Sequence, residues 1–354
     1  MSVSKRTFHL LAWLSAFAFI FVSIACGPGS SSVSLTGAGA TFPNPLYQKW
    51  LSEYAKLHPN VRIDYQSIGS GGGIKQLKEQ TVDFGASDAP MKDEEIKSAP
   101  GEILHIPTVL GAVVITYNLE GINKPLRFSP DVIADIYLGK IKKWNDPKIT
   151  ADNPGVTLPA ADITVVHRSE GSGTSAVFTD YLSKVSAEWK EKVGAGTSPS
   201  WPVGIGGKGN EGVTGQVKQT PNTIGYVELA YAVQNSLPAA HIKNSSGNFI
   251  EASIDSVIAA AADSAAITPE DLRVSITNAP GAQSYPISSY TYILVYKNQK
   301  DAGKGKALVD FVWWGIHDGE SFAKELRYAP LPADIVKRAE AKINSVSANG
   351  TALR

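Results

Sequence analysis

One cysteine in 354 residues excludes a disulfide framework within the chain. Equal numbers of basic and acidic side chains, 33 of each, leave no net charge, so the chain lacks the basic footprint of a nucleic-acid-binding domain. The 6 histidines, at positions 9, 58, 105, 167, 241 and 317, show no paired metal-ligand spacing, and neither a metal nor another cofactor is expected. No apolar run reaches the ~20 residues that span a bilayer. The 32 glycines and 21 prolines follow no collagen or low-complexity period, and no short repeat suggests a solenoid. What remains, 43% hydrophobic and 19% charged, is an ordinary globular composition. At ~100–200 residues per domain, the length predicts about two domains.

The N-terminus is a separate matter. Lys5 and Arg6 precede an apolar run from Leu10 to Val22, broken only by Ser15, and a Gly/Ser tract follows. That run falls within the ~7–15 residues of a secretory signal core, so residues 1–25 read as a signal peptide. Its removal takes away Lys5 and Arg6 and leaves the mature chain slightly acidic. Ser23-Ile24-Ala25 offers the small residues ordinary signal peptidase requires. Ala25-Cys26 also resembles the end of a bacterial lipobox, although Ser23 stands where an aliphatic residue is usual. Residues 26–34 form a flexible tether, which favours a lipid anchor on Cys26. The expected location is the periplasm or the outer face of the cytoplasmic membrane.

Beyond the tether, helical and extended patterns alternate. Leu46, Tyr47, Trp50, Leu51, Tyr54 and Leu57 recur at helical spacing; Val61, Ile63 and Tyr65 alternate as a strand. A Gly-rich turn at 69–73 leads to a short helix. Strands are predicted at 81–86, 110–117, 163–166, 224–227 and 290–296, and helices after Ser129-Pro130 and after the turn at 171–173. This alternation predicts an α/β fold with mainly parallel sheets. Gly69-Ser70-Gly71 and Gly171-Ser172-Gly173 each stand between a strand and a helix. Two lobes presenting matching helix starts to one cleft would produce that recurrence, and so would two unrelated turns.

Three helix starts carry the candidate chemistry: Gly39-Ala40-Thr41-Phe42, Gly69 to Gly73, and Gly171-Ser172-Gly173-Thr174. At each, glycine permits close backbone approach, free N–H groups face outward and a hydroxyl stands by, the elements of an anion site. Arg168 ends the strand before the third and offers a bidentate contact to an oxyanion. Asp88 follows the strand ending at Ala86. A carboxylate beside an anion is repulsive unless the ligand brings a proton, which phosphate does near neutral pH and sulfate does not. Asp88 in the cleft would therefore accept from phosphate and reject sulfate.

Enzyme motifs are absent or broken. Gly171 to Ala176 fits G-x-G-x-x-A, but His167 to Glu170 separate the glycines from the strand, unlike a dinucleotide site. Gly206-Gly207-Lys208-Gly209 approaches a phosphate-binding loop, with Pro202 in place of the first Gly and Gly209 in place of the hydroxyl residue. Ile68 and Glu170 stand where a nucleophile elbow needs its first Gly. Lys140 to Trp144 reads as a solvated face, and His167 as a strand-end residue.

The stretches LTGAGATFPNPLYQKW (35–50), YQSIGSGGGIKQL (65–77), TVDFGASDAPM (81–91), DIYLGKIKKWNDP (135–147), RSEGSGTSAVFTDYL (168–182), WPVGIGGKGNEGV (201–213) and TIGYVE (223–228) run in one order along the mature chain. In them the sequence resembles the PstS family, phosphate-binding proteins of bacterial Pst-type ABC transporters. The resemblance implies a type II periplasmic-binding fold, with two α/β lobes joined by crossing strands and phosphate in the cleft. Lobe I would comprise 35–112 and 286–354, and lobe II 113–285. It implies phosphate contacts from Thr41, Phe42, Ser70, Asp88, Arg168, Ser172, Gly173 and Thr174, with Glu170 pairing Arg168 where the family commonly has Asp. It further implies a monomeric, non-enzymatic carrier whose partners are inorganic phosphate and an inner-membrane ABC permease. A binding protein for another tetrahedral oxyanion, and a secreted phosphoester hydrolase, are the alternatives.

Overall fold

The computed structural model describes residues 32–122 and 124–354; the expected signal peptide, Cys26 and most of the tether lie outside the described residues. The main sheet has eight strands: β1 (Val33–Gly39), β2 (Val61–Ser67), β3 (Phe84–Ser87), β4 (Ile103–Asn118), β5 (Thr164–Arg168), β6 (Ile205–Gly207), β7 (Thr223–Glu228) and β8 (Ser288–Tyr296). Their spatial order is β2-β1-β3-β8-β4-β7-β5-β6. β1 pairs in parallel with β2 and β3, and β5 with β6 and β7. The pairings β3–β8, β8–β4 and β4–β7 are antiparallel. The expectation of mainly parallel sheets therefore holds in the two wings and fails between them. Helical crossovers build the wings, whereas the chain passes from wing to wing directly along a strand.

That passage is β4. It pairs with β8 from Ile103 to Ala112 and with β7 from Val113 to Asn118. All its residues but Asn118 are buried, so it reads as a continuous apolar run rather than an alternating one. The sequence pattern finds only 110–117 because His105 and Pro107 interrupt the apolar run before it. Both are accommodated. Burial drives the His105 imidazole down to about 3, and Nε2 of this neutral ring accepts the Met91 N–H at 3.0 Å. Pro107 faces Tyr292 where the β4–β8 register slips, a place where a missing N–H is tolerated.

Helices α1 (Asn44–Leu57), α2 (Ser70–Lys78), α3 (Gly173–Val185) and α4 (Gly209–Gln219) follow β1, β2, β5 and β6. α1 buries Leu46, Tyr47, Trp50 and Tyr54 as its spacing predicts, while Leu57 at its end is exposed; the Trp50 indole donates to Gly319 O at 2.7 Å. Helix α2 begins at Ser70, so Gly71 to Gly73 belong to the helix and not to a turn. Packing explains them: a Cβ on Gly73 would lie 2.5 Å from Gly39 Cα, so only glycine lets α2 lie this close to β1. The 140–144 segment also departs from expectation. Lys140 and Lys143 pair at the surface with Glu188 and Asp162, but Trp144 is fully buried and its indole donates to Asn222 O at 3.1 Å. Burying an aromatic of that size stabilises the fold by ~1.5–3 kcal/mol or more. No described helix is long and apolar enough to cross a membrane.

Candidate functional site

The strand ends preceding α1, α2 and α3, together with the end of β3, bring all eight expected contact residues to one cleft. Thr41, Phe42, Ser70 and Asp88 form one wall; Arg168, Ser172, Gly173 and Thr174 form the other. Every one of these side chains is buried. The walls touch. Gly71 N–H donates to Gly171 O at 2.9 Å, Tyr231 OH to Thr41 O at 2.6 Å, and Asn210 Nδ2 to Thr41 Oγ1 at 2.7 Å. A Cβ on Gly173 would lie 2.5 Å from Asp88 Oδ2 and closer still to Ser70 Oγ. Asp88, Ser70 and Gly173 are thus packed about one point, and only glycine fits the third position.

Donors dominate the lining. The backbone N–H groups of Thr41 and Phe42 find no acceptor among the described residues. The pair runs directly into α1 as expected: Pro43 is the N-cap, Asn44 begins the helix, and Thr41 O accepts the Asn44 N–H at 3.1 Å. The Phe42 ring faces away into the core against Tyr328, which leaves only its backbone for the cleft. In α3, Gly173 and Thr174 occupy the first turn, where N–H groups have no intrahelical partner. The Ser172 N–H, by contrast, is taken by Thr197 O at 2.8 Å. Its hydroxyl accepts Ser175 N–H at 3.0 Å as an N-cap and keeps its own proton.

Charge is distributed unequally. Arg168 directs Nη1 to Thr174 Oγ1 at 3.2 Å and Nε to Glu170 Oε1 at 2.9 Å, and Nη2 also meets Glu170 Oε1. The same carboxylate oxygen accepts the Gly209 N–H at 3.0 Å. On the opposite wall, Asp88 Oδ1 accepts the Thr291 hydroxyl at 2.9 Å, while buried Oδ2 has no hydrogen-bond partner. Burial pushes the Asp88 carboxyl up to about 7, against the opposing pull of Thr291, Arg168 and Ser70. A carboxyl balanced near neutrality, with one oxygen unpartnered among donors, is suited to sharing a proton with a ligand.

Three participants escape sequence reasoning. Asn210, fully buried, bridges Thr41 and Thr174 Oγ1, the latter at 3.1 Å. Thr291 on β8 orients Asp88. Glu228 closes β7 fully buried; its Oε2 accepts Ala230 N–H at 2.7 Å, Oε1 has no partner, and burial raises its carboxyl well above the usual range. An acid at the end of the otherwise apolar TIGYVE is the available signal for Glu228; Asn210 has the stretch GKGNEGV. His167 stays outside the cleft, stacked on Trp201. A separate groove of about 960 Å³ between Val233, Ile254 and Lys324 contains none of the expected contacts. Among the described residues no cluster of His, Cys, Asp and Glu has the arrangement of a metal site.

Two α/β lobes, joined by a strand that changes partners and closed over a donor-lined cleft, define a periplasmic-binding-type receptor. A sequence model described as a PBP superfamily domain matches residues 27–313. Phosphate-binding protein PstS of Xylella fastidiosa (strain 9a5c) is 47% identical over 313 residues, covering 88% of this chain and 85% of the relative. Its counterpart in Pasteurella multocida (strain Pm70) is 45% identical over 341 residues, covering 96% of each. The chain belongs to the PstS family of phosphate-binding proteins. A crystal structure of a phosphate-binding protein from Stenotrophomonas maltophilia shares the fold, with a TM-score of 0.66 at 21% identity over 90% of this chain and 96% of that one.

Proposed function

We propose that this chain captures inorganic phosphate outside the cytoplasmic membrane and delivers it, chemically unchanged, to an ABC permease. The observation that carries this reading is the composition of the closed cleft: many donors and, at Asp88 Oδ2, an unpartnered carboxylate oxygen placed among them. An oxyanion that retains a proton satisfies both; one without a proton leaves two acceptors facing each other. Thr41, Phe42, Ser70, Arg168, Ser172, Gly173 and Thr174 donate, and Asp88 accepts. Charge-assisted hydrogen bonds contribute ~1.5–3 kcal/mol each, so several of them, less the cost of ordering and closure, reach the ~8 kcal/mol of micromolar binding.

Closure is a hinge motion of lobe I, 35–112 with 286–354, against lobe II, 113–285. The change of partner on β4 between Ala112 and Val113 supports that boundary. The closed form is the one the permease reads. Export by the signal peptide and acylation of Cys26 place the monomer at the outer face of the membrane, and mass spectrometry of the mature N-terminus tests this. For the ligand, calorimetric titration with phosphate and with sulfate is decisive. Phosphate should bind far more tightly; equal affinity or a sulfate preference would overturn the reading.

A further inference from the structure

We infer that Asn210 is a positioning residue that fixes the hydroxyls of Thr41 and Thr174 as donors into the cleft; the inference rests on the phosphate reading above. Asn210 is fully buried in the first turn of α4. Its Oδ1 accepts the Glu228 N–H at 2.9 Å, which settles the direction of the amide: a flipped group would set NH₂ against N–H. The two NH₂ hydrogens therefore go to Thr41 Oγ1 at 2.7 Å and Thr174 Oγ1 at 3.1 Å, on opposite walls.

A hydroxyl has one proton and two lone pairs. Thr41 Oγ1 also accepts the Asn210 backbone N–H at 3.2 Å, and Thr174 Oγ1 also accepts Arg168 Nη1 at 3.2 Å. Both lone pairs on each oxygen are thus engaged, and neither hydroxyl donates to a protein group among the described residues. What each retains is its proton. A ligand sees two donors and no acceptor at these positions, which suits an anion that offers only lone pairs there. Asn achieves this without adding charge. Asp has the same shape but the opposite polarity: both hydroxyls would turn their protons toward it and present lone pairs to the ligand.

Titration of four variants with inorganic phosphate tests the inference. Asn210→Asp should weaken binding by about a hundredfold or more, and Asn210→Ala by only about tenfold, since Ala removes the orienting group and Asp reverses it. In a Thr41→Val/Thr174→Val background the Asn210→Ala loss should shrink to within about threefold, because nothing remains to orient. A residue serving only as a strut between the walls would cost the same with or without the hydroxyls, and Asp and Ala would behave alike; either result overturns the inference. Thermal unfolding of the isosteric Asp variant separates misfolding from altered binding. Phosphate binding by the unaltered chain with unchanged affinity in the variants overturns the inference alone. No binding by the unaltered chain overturns the functional reading and this inference together.

Discussion

The two walls of the cleft use the same part, a glycine-flanked serine at a helix start, and do different work. On the Ser172 wall Arg168 supplies positive charge, and Glu170 engages the guanidinium from the side away from Thr174. Donors prevail on this wall, from the α3 amides to the hydroxyls of Ser172 and Thr174, and its one acid, Glu170, is paired with Arg168. The Ser70 wall carries no cation in contact with its acid. It has the buried Asp88, tied at one oxygen to Thr291 and unpartnered at the other. Donors attract any oxyanion; an acceptor admits only one that brings a proton. On the proposed phosphate reading, affinity falls chiefly to one wall and selection to the other.

The largest effect expected from breaking that division is at Asp88. On that reading sulfate binds only when Asp88 itself is protonated, and burial pushes this carboxyl up to about 7. Above that pH sulfate affinity should fall ~tenfold per unit, while phosphate supplies its own proton and holds steady. The phosphate-to-sulfate ratio should therefore rise about fiftyfold between pH 7 and 9, and Asp88→Asn should abolish the rise. Titrations across that range decide it, and a ratio flat with pH in the unaltered chain would remove Asp88 from the selecting role. The same shift has a sign in stability. Because the folded pKa lies above the unfolded one, the contribution of this group is complete below about pH 4 and is lost as pH rises through 7. The ligand-free Asp88→Asn protein should accordingly melt higher than its parent at pH 8.

How much of this division is legible in the sequence depends on distance along the chain. Ser70, Asp88 and Ser172 to Thr174 lie in short motifs whose local geometry announces donors or an acid after a strand. Thr291 acts on a residue 203 positions away, and Asn210 reaches Thr41 across 169. No local pattern encodes either bond. Gly206 to Gly209 fails as a phosphate loop because its own backbone is not the ligand cradle; the contribution comes from the next side chain, set by the start of α4. The fold shows the same limit. Periodicity finds the amphipathic α1 and the buried β7, but it stops short on β4, where His105 and Pro107 are tolerated only because Met91 and the β8 bulge lie opposite.

An intermediate effect tests whether the walls must meet. Gly173→Ala puts a methyl 2.5 Å from Asp88 Oδ2 and closer still to Ser70 Oγ, both on buried side chains. Neither can move without opening the cleft, so phosphate affinity should fall by at least about tenfold while the isolated lobes stay intact. Small-angle scattering with saturating phosphate should show the variant more extended than its parent. Unchanged affinity with the parent's compaction would mean that the walls can part slightly without penalty.

The smallest effect concerns the second carboxylate of the cleft. Glu170 resembles Asp88 in being partly orphaned, since Oε2 is buried without a partner, but its Oε1 serves Arg168 and the Gly209 N–H at once. Glu170→Asp shortens the side chain by a methylene, and one oxygen can no longer reach both. Arg168 can keep its ion pair and its contact with Thr174, so the loss falls on Gly209, the residue before Asn210. Phosphate affinity should drop by less than about tenfold, the scale of one hydrogen bond. A gain would mean that the longer Glu170 holds Arg168 back from the ligand. In neither case should the phosphate-to-sulfate ratio move, because the side chain altered belongs to the donor wall. A change in that ratio would show that selection is shared between the walls after all.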